Sequence, residues 1–410
     1  MATGVARPDD VRRQNRRAIL RAIRQGGTMS RTNICSVAGL SQATVSAIST
    51  SLLASGILRE AALEASSRLG RGRPQVLLEA NPAAGAVAAI SFTVKGLETM
   101  LVDYSGQPLG CRSTRLQALD VDSTTLLRCI ESELRGLLSD NDVSLCHITI
   151  GIQGVTNSSL GQMLWSPIMR ERSVDFRKAL SAAFGVSVAV ENDCNLVAEA
   201  LRWSKEFPFQ DDFAALMLDD GIGMGLCLGG TRFHGSKSSA GEFGHMMFEP
   251  FGRKCRCGAR GCIEAYAGDY AIVGATRPDL REMAMRGVLP PNTYFEAVDA
   301  ARCGDVAALE AFRSAGRALG SGLASLFAIV DPIPLAFVGD GAIALDLMLP
   351  SICEVLDASA SWNRSSDLLS RSFPNVKELI LEGCSMTSLL YLDDEFSSEI
   401  NLGRLLERTE

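Results

Sequence analysis

The stretch GEFGHMMFEPFGRKCRCGARGCIEA, residues 241–265, brings together His245, Cys255, Cys257 and Cys262 in a chain that has only three histidines and twelve cysteines. The spacing Cys-x-Cys-Gly-x-x-Gly-Cys demands a very tight backbone, with glycines where the chain must curl around a small object. One imidazole and three thiolates complete a tetrahedral zinc shell and leave no position open for water, which marks a structural rather than a catalytic metal. A disulfide is a poor substitute, because Cys255 and Cys257 lie too close for easy pairing. We therefore expect structural Zn2+ on His245, Cys255, Cys257 and Cys262.

The other nine cysteines lie singly among apolar or helical neighbours and read as small, mostly buried hydrophobes in a reducing compartment. The first residues, MATGVARPDDVRRQNRR, lack the apolar stretch of a secretory signal, and no later run reaches the length needed to span a bilayer. The expected location is the cytoplasm, with no membrane partner. At 410 residues and 47% hydrophobic content the chain can bury two or three domain cores.

Charge divides the chain. Residues 1–80 carry twelve arginines, no lysine and five acids, a net +7, so the remainder carries −14 of the overall −7. A basic head on an acidic body suggests that the head meets a polyanion, although a solvated basic arm would leave the same imbalance. Within the head, VRRQNRRAILRAIRQGG places Ala18, Ile19, Ala22 and Ile23 on one helical face and arginines on the other. A short helix capped by Ser30, with Ile34, Val37 and Ala38 inward, precedes a turn at Gly39-Leu40. Ser41 then caps a third helix striped by Val45, Ile48, Leu52 and Leu53.

This helix-turn-helix order would put the start of the third helix in a DNA major groove, with Arg31, Ser41, Gln42, Thr44 and Ser46 as candidate contacts. Two apolar strands, 57–61 and 75–78, flank a polar tip and complete the layout of a winged domain. Its tip, RLGRGRP, separates Arg68, Arg71 and Arg73 by glycines, a form suited to a narrow minor groove.

After Asn81-Pro82, strands and helices alternate. AVAAISF, TMLVDY and 109–116 read as an antiparallel run. A helix from Ser123 to Leu138 leads to CHITIGI and VSVAVE. The second half follows the same alternation, with FAALMLDD and GMGLCLGG as strands, a long helix near 305–329, the strand PLAFVG, a helix, then NVKELILE. Two α/β lobes with a cleft between them fit this order. The expected domains are 1–80 (winged helix-turn-helix with basic wing or linker), 81–190 (first lobe) and 191–410 (second lobe, with the zinc loop).

GEFGH (241–245) followed by CRCGARGCIE (255–264) resembles the ExGH and CxCGxxGCxE motifs of the ROK family, which groups sugar kinases with sugar-responsive transcriptional repressors. ENDCN (191–195) is similar to that family's sugar motif, and GIQGVTN (151–157) to its PG-containing turn. The resemblance covers nearly the whole body, and the winged head is what the repressor branch adds. It implies a two-lobed actin-like, ribonuclease-H-like fold, with sugar hydroxyls contacted by Gly154, Asn192, Asp193, Glu242, His245 and Glu264. For Asp193 alone, a helix cap is an equally simple reading.

The kinases of this family need glycine-rich phosphate loops. Here the first reads Ser91-Phe92-Thr93-Val94-Lys95, without the glycines or the acid, and the second, DDGIGMG (219–225), opens with two carboxylates. ATP binding is therefore expected to be lost, Asp193 to bind ligand rather than act as a base, and Asp340 to stand near the adenosine position.

The expected function is a non-enzymatic repressor of carbohydrate-metabolism genes. Its partners would be a double-stranded DNA operator and a small-molecule sugar effector, and its assembly a homodimer or dimer of dimers. The alternative is an ATP-dependent sugar kinase that carries a DNA-binding head.

Overall fold

The structure, a computed structural model, describes residues 8–61, 76–116, 121–205, 207, 211–235, 241–359 and 369–398. In the head, α1 (Pro8–Gly26) buries Ile19, Leu20, Ala22 and Ile23 on one face. A two-residue strand β1 (Met29–Ser30) enters α2 (Arg31–Ala38), whose first turn is closed by Asn33 N donating to Ser30 Oγ at 3.2 Å. Gly39 turns the chain toward α3 (Gln42–Ala54), capped by Ser41. The strands β2 (Leu58–Glu60) and β3 (Leu77–Ala80) pair antiparallel, Leu58 opposite Ala80, and β1 adds to the other side of β3.

This is a helix-turn-helix followed by the base of a wing. The tip expected to carry Arg68, Arg71 and Arg73 lies outside the described residues. One expectation fails: Val37, placed inward from sequence, is 57% exposed. A helix of two turns offers one full inward position, and Ile34 fills it.

The first lobe begins with β4 (Ala86–Thr93), β5 (Gly96–Asp103) and β6 (Pro108–Thr114), an antiparallel run. There follow α4 (Ser123–Asp140), β7 (Leu145–Ile152), a small side sheet of β8 (Val155–Asn157), β9 (Gln162–Trp165) and β10 (Val174–Asp175), then α5 (Phe176–Phe184) and β11 (Ser187–Asn192). The main sheet runs β11-β7-β4-β5-β6, with β7 parallel to both β4 and β11. β4 lies at its centre, so seven of its eight residues are buried and it reads as a continuous apolar run rather than an alternating one.

The second lobe opens with α6 (Asp193–Trp203), then β12 (Phe213–Leu218), β13 (Ile222–Leu228) and β14 (Thr231–Phe233). After the cysteine loop come five helices: α7 (Glu264–Ala267), α8 (Asp269–Thr276), α9 (Arg281–Arg286), α10 (Thr293–Arg302) and α11 (Val306–Val330). β15 (Leu335–Val338), α12 (Leu345–Asp357), β16 (Ser370–Phe373) and α13 (Val376–Phe396) are the last elements of the described residues. The sheet β14-β13-β12-β15-β16 repeats the order of the first: a hairpin run of three, then two strands added in parallel beside the first of them.

NVKELILE lies in α13, and the strand that closes the second sheet is the shorter β16 before it. α6 and α13 lie between the two sheets, sharing a core that includes Ala89, Leu196, Ala215, Ala336, Ile380 and Cys384. α13 also lies along the first sheet, where Ser388 Oγ is 2.8 Å from His147 Nδ1 and 2.6 Å from Thr149 Oγ1. Burial pushes the His147 imidazole down to about 3, so it stays neutral there.

The arginine face of α1 meets this last helix. Arg24 makes a two-pronged bond to Asp393 at 2.7 Å on each arm, with side-chain exposures of 5% and 1%, and Tyr104 Oη donates to the same carboxylate at 2.6 Å. Arg17 pairs with Asp394, and Arg16 Nη1 donates to the Ser397 carbonyl at 3.3 Å. Three of the arginines expected to face a polyanion therefore bond to the body instead, two of them to its carboxylates, and Ile19, Leu20 and Ile23 share one core with Val87, Tyr104, Leu389 and Phe396. Of the nine cysteines read as small buried residues, Cys194, Cys227 and Cys384 are buried, whereas Cys111 and Cys303 are exposed.

Candidate functional site

A cleft of about 500 Å³ opens between the lobes. All six residues expected to contact sugar, Gly154, Asn192, Asp193, Glu242, His245 and Glu264, line it. Gly154 has φ 139°, and a Cβ there would lie 2.3 Å from the Trp165 carbonyl oxygen, so the turn after β7 accepts only glycine. Asn192, not Asp193, caps α6: its Oδ1 accepts from Asn195 N at 3.2 Å, and its Nδ2 donates to the Gly154 carbonyl at 2.9 Å. This amide holds the two cleft-facing turns together and keeps one N–H for a ligand.

Asp193 is 3% exposed and accepts from the neighbouring Cys194 N, at 2.9 Å. Burial raises its carboxyl to about 7. Glu264, at the start of α7, is held at both oxygens. Oε2 accepts from Ile222 N at 3.2 Å, and Oε1 from Tyr270 Oη at 3.3 Å and the Cys255 thiol at 3.4 Å.

The cysteine loop folds as its glycines require. Gly258 and Gly261 have φ 94° and 84°, and a Cβ on Gly261 would sit 1.8 Å from the Glu249 carbonyl oxygen. The donor atoms of His245, Cys255, Cys257 and Cys262 all lie within 4.8 Å of one another. Two edges of this tetrahedron are His245 Nδ1 to Cys255 Sγ at 3.9 Å and Cys257 Sγ to Cys262 Sγ at 3.8 Å. A regular tetrahedron around zinc with Zn–S near 2.3 Å has edges of about 3.8 Å, so these two edges match a metal of that size. The other nitrogen of the ring, Nε2, faces Glu242 Oε2 at 3.8 Å, which joins the cluster to the cleft.

The second half of the cleft is built differently. Lys95 Nζ, in the β4–β5 turn of the first lobe, lies 3.0 Å from Asp219 Oδ2 and 3.0 Å from Asp340 Oδ2, both in the second lobe. Asp219, pushed up to about 6 by burial despite this partner, is the more sheltered acid. Sequence reading missed the apolar wall of Trp165, Ile168 and Met169 on the first-lobe side of the cleft; an aromatic so near the GIQGVTN turn was its only signal.

In the head, Gln42 and Ser46 are exposed on the first turns of α3. Ser41 and Thr44 hydroxyls bond to each other at 2.8 Å, and Arg31 Nε donates to Ser49 Oγ at 3.0 Å, which braces α2 against α3. Among the described residues, no single helix is long and apolar enough to cross a membrane.

Residues 88–368 match the ROK family. The chain belongs to that family. It is 25% identical over 354 residues, 84% of this chain and 88% of the relative, to a putative xylose repressor of Caldicellulosiruptor sp. (strain Rt8B.4). It is also 25% identical over 359 residues, 86% of each chain, to the DNA-binding transcriptional dual regulator NagC of Escherichia coli K12.

Among solved ROK structures, a transcriptional regulator described as a homologue of the E. coli MLC protein superposes with a TM-score of 0.78. That match has 22% identity and covers 97% of this chain and 99% of the other. ROK kinases of known structure share the fold of the body.

Proposed function

We propose that this ROK protein is a DNA-binding transcriptional repressor of carbohydrate-metabolism genes, controlled by a sugar or sugar derivative bound between its lobes. The observation that carries this reading is the asymmetry of the cleft: six sugar-type contacts converge on one half, while a lysine of the protein itself lies between the carboxylates of the other. Gly154, Asn192, Asp193, Glu242, His245 and Glu264 would bind the hydroxyls. Carboxylates and an amide can accept from and donate to vicinal hydroxyls in such a cleft.

Two carboxylates at the turn before β13, and no glycine-rich loop at 91–95, argue against binding a polyphosphate and hence against the kinase alternative. The relatives' descriptions as repressors and regulators support the same choice. His245, Cys255, Cys257 and Cys262 would hold a structural zinc. Bound there, it supplies a cross-link, not an open coordination site. The chain's own part is to use that loop to place Glu242 and Glu264.

Gln42, Ser46, Ser41, Thr44 and Arg31 would lie toward the operator, with Arg68, Arg71 and Arg73 of the wing tip in the minor groove. A homodimer or dimer of dimers would present paired heads, and a sugar that prefers one lobe arrangement would shift their spacing.

The test is an operator-binding assay on the full chain with a panel of neutral monosaccharides. We expect one sugar to lower DNA affinity, and binding to weaken as salt rises. ATP-dependent phosphorylation of any sugar in the panel would replace this reading with the kinase.

A further inference from the structure

The turn between β12 and β13, residues 219–221, is gripped from three directions. Lys95 reaches it from the other lobe, 3.0 Å from Asp219 Oδ2, and the same ammonium is 3.0 Å from Asp340 at the end of β15. From the cysteine loop, Arg256 Nη1 donates to the Asp220 carbonyl at 3.1 Å, while its guanidinium lies 4.0 Å above the Tyr270 ring. From α7, Glu264 Oε2 accepts from Ile222 N at 3.2 Å. The turn itself is closed by Asp219 N donating to the Gly221 carbonyl at 3.1 Å, and a Cβ on Gly221 would come within 2.9 Å of Glu264 Oε2. Movement of the turn is therefore movement of the Glu264 carboxylate.

We propose that Lys95 is a positioning residue for the effector site: it straps the first lobe to the 219–221 turn and, through Ile222 N, holds Glu264 where a ligand in the cleft meets it. An isolated exposed ion pair would contribute little. Here one ammonium joins two carboxylates on separate loops, Asp219 is only 16% exposed, and the bonds exist only when the lobes are close. The strap therefore favours one lobe arrangement over another, the condition for biasing a two-state equilibrium. The link from Glu264 to a sugar rests on the sensing function proposed above; the strap itself does not.

The experiment uses the full chain with Lys95→Gln and Lys95→Arg. Hydrogen–deuterium exchange of the 218–224 segment should quicken about three- to tenfold in Lys95→Gln and return to the parent rate in Lys95→Arg. Unchanged protection in Lys95→Gln overturns the strap.

Isothermal titration with D-xylose and D-glucose then tests the link to ligand. The sugar that binds the parent should bind Lys95→Gln about three- to tenfold more weakly and Lys95→Arg with near-parent affinity. Raising sodium chloride from about 0.05 to about 0.5 M should weaken sugar binding by the parent and by Lys95→Arg but not by Lys95→Gln, a response that a packing role would not produce. Equal affinities in all three proteins overturn the positioning role. Silence of the parent toward a broad sugar panel overturns the sensing function instead, while hydrogen exchange still decides the strap.

Discussion

The two halves of the cleft hold carboxylates in opposite ways. On one side Asp219 and Asp340 face a lysine supplied by the other lobe. On the other, no lysine or arginine among the described residues pairs with Asp193, Glu242 or Glu264; backbone N–H groups and a tyrosine hydroxyl are what Asp193 and Glu264 meet. A carboxylate with its own counter-ion is a structural joint. One left without a cation, yet partly hydrogen-bonded, is suited to a neutral ligand that brings hydroxyls. The first arrangement makes the protein self-sufficient, and the second leaves its carboxylates without a cation from any lysine or arginine among the described residues.

The harshest way to break this contrast is to remove the loop that organises the unpaired side. Cys257→Ser should abolish the bound zinc, measured by elemental analysis, and lower the melting temperature by roughly 5–10 °C. A metal content equal to that of the parent would mean that the ligand set is wrong. Next in size, Glu264→Ala should weaken sugar binding about tenfold or more in calorimetry while leaving operator affinity intact, since it removes an acceptor that lines the cleft. A normal sugar response in that protein would put the ligand elsewhere.

The smallest effect has a sign that can be checked against pH. Asp193 titrates at about 7 in the folded chain, against an ordinary value of 3.8, because burial disfavours its charge. Between those values the folded state holds a proton that the unfolded state has released, so stability declines as pH rises from about 4 through 7. Asp193→Asn should therefore be more stable than the parent at pH 8 and equal to it near pH 4, while losing sugar binding. Denaturant melts at the two pH values give the comparison, and a variant no more stable than the parent at pH 8 would show that Asp193 ionises without strain.

How much of this is legible in the sequence depends on distance along the chain. The cysteine loop can be read because its donors and glycines fall within one short stretch, and spacing alone sets their geometry. Ser30 and Ser41 can be read as caps because a cap bonds three residues ahead. The cap of α6 falls one residue away from the one the sequence suggests: Asn192 and Asp193 both suit that position, and only the amide's second bond to Gly154 distinguishes them.

Lys95 stands in plain view as a departure from a phosphate loop, yet its partners lie 124 and 245 residues away. The arginines of α1 read as facing solvent or DNA for the same reason. An amphipathic pattern marks a polar face, but it does not say whether water, a phosphate or an acidic helix 369 residues later will meet it.

That last contact affects how DNA would be searched. With Arg24 bonded to Asp393, which Tyr104 also meets, any swivel of the reading helices against the body would have to break these buried bonds. Two such heads in one assembly would be fixed callipers rather than tethered hooks. One extra base pair between half-sites would rotate the far site by roughly 35° about the duplex axis, out of reach of a joint that does not turn. The length of the gap in the operator would then be selected as strictly as the bases on either side of it.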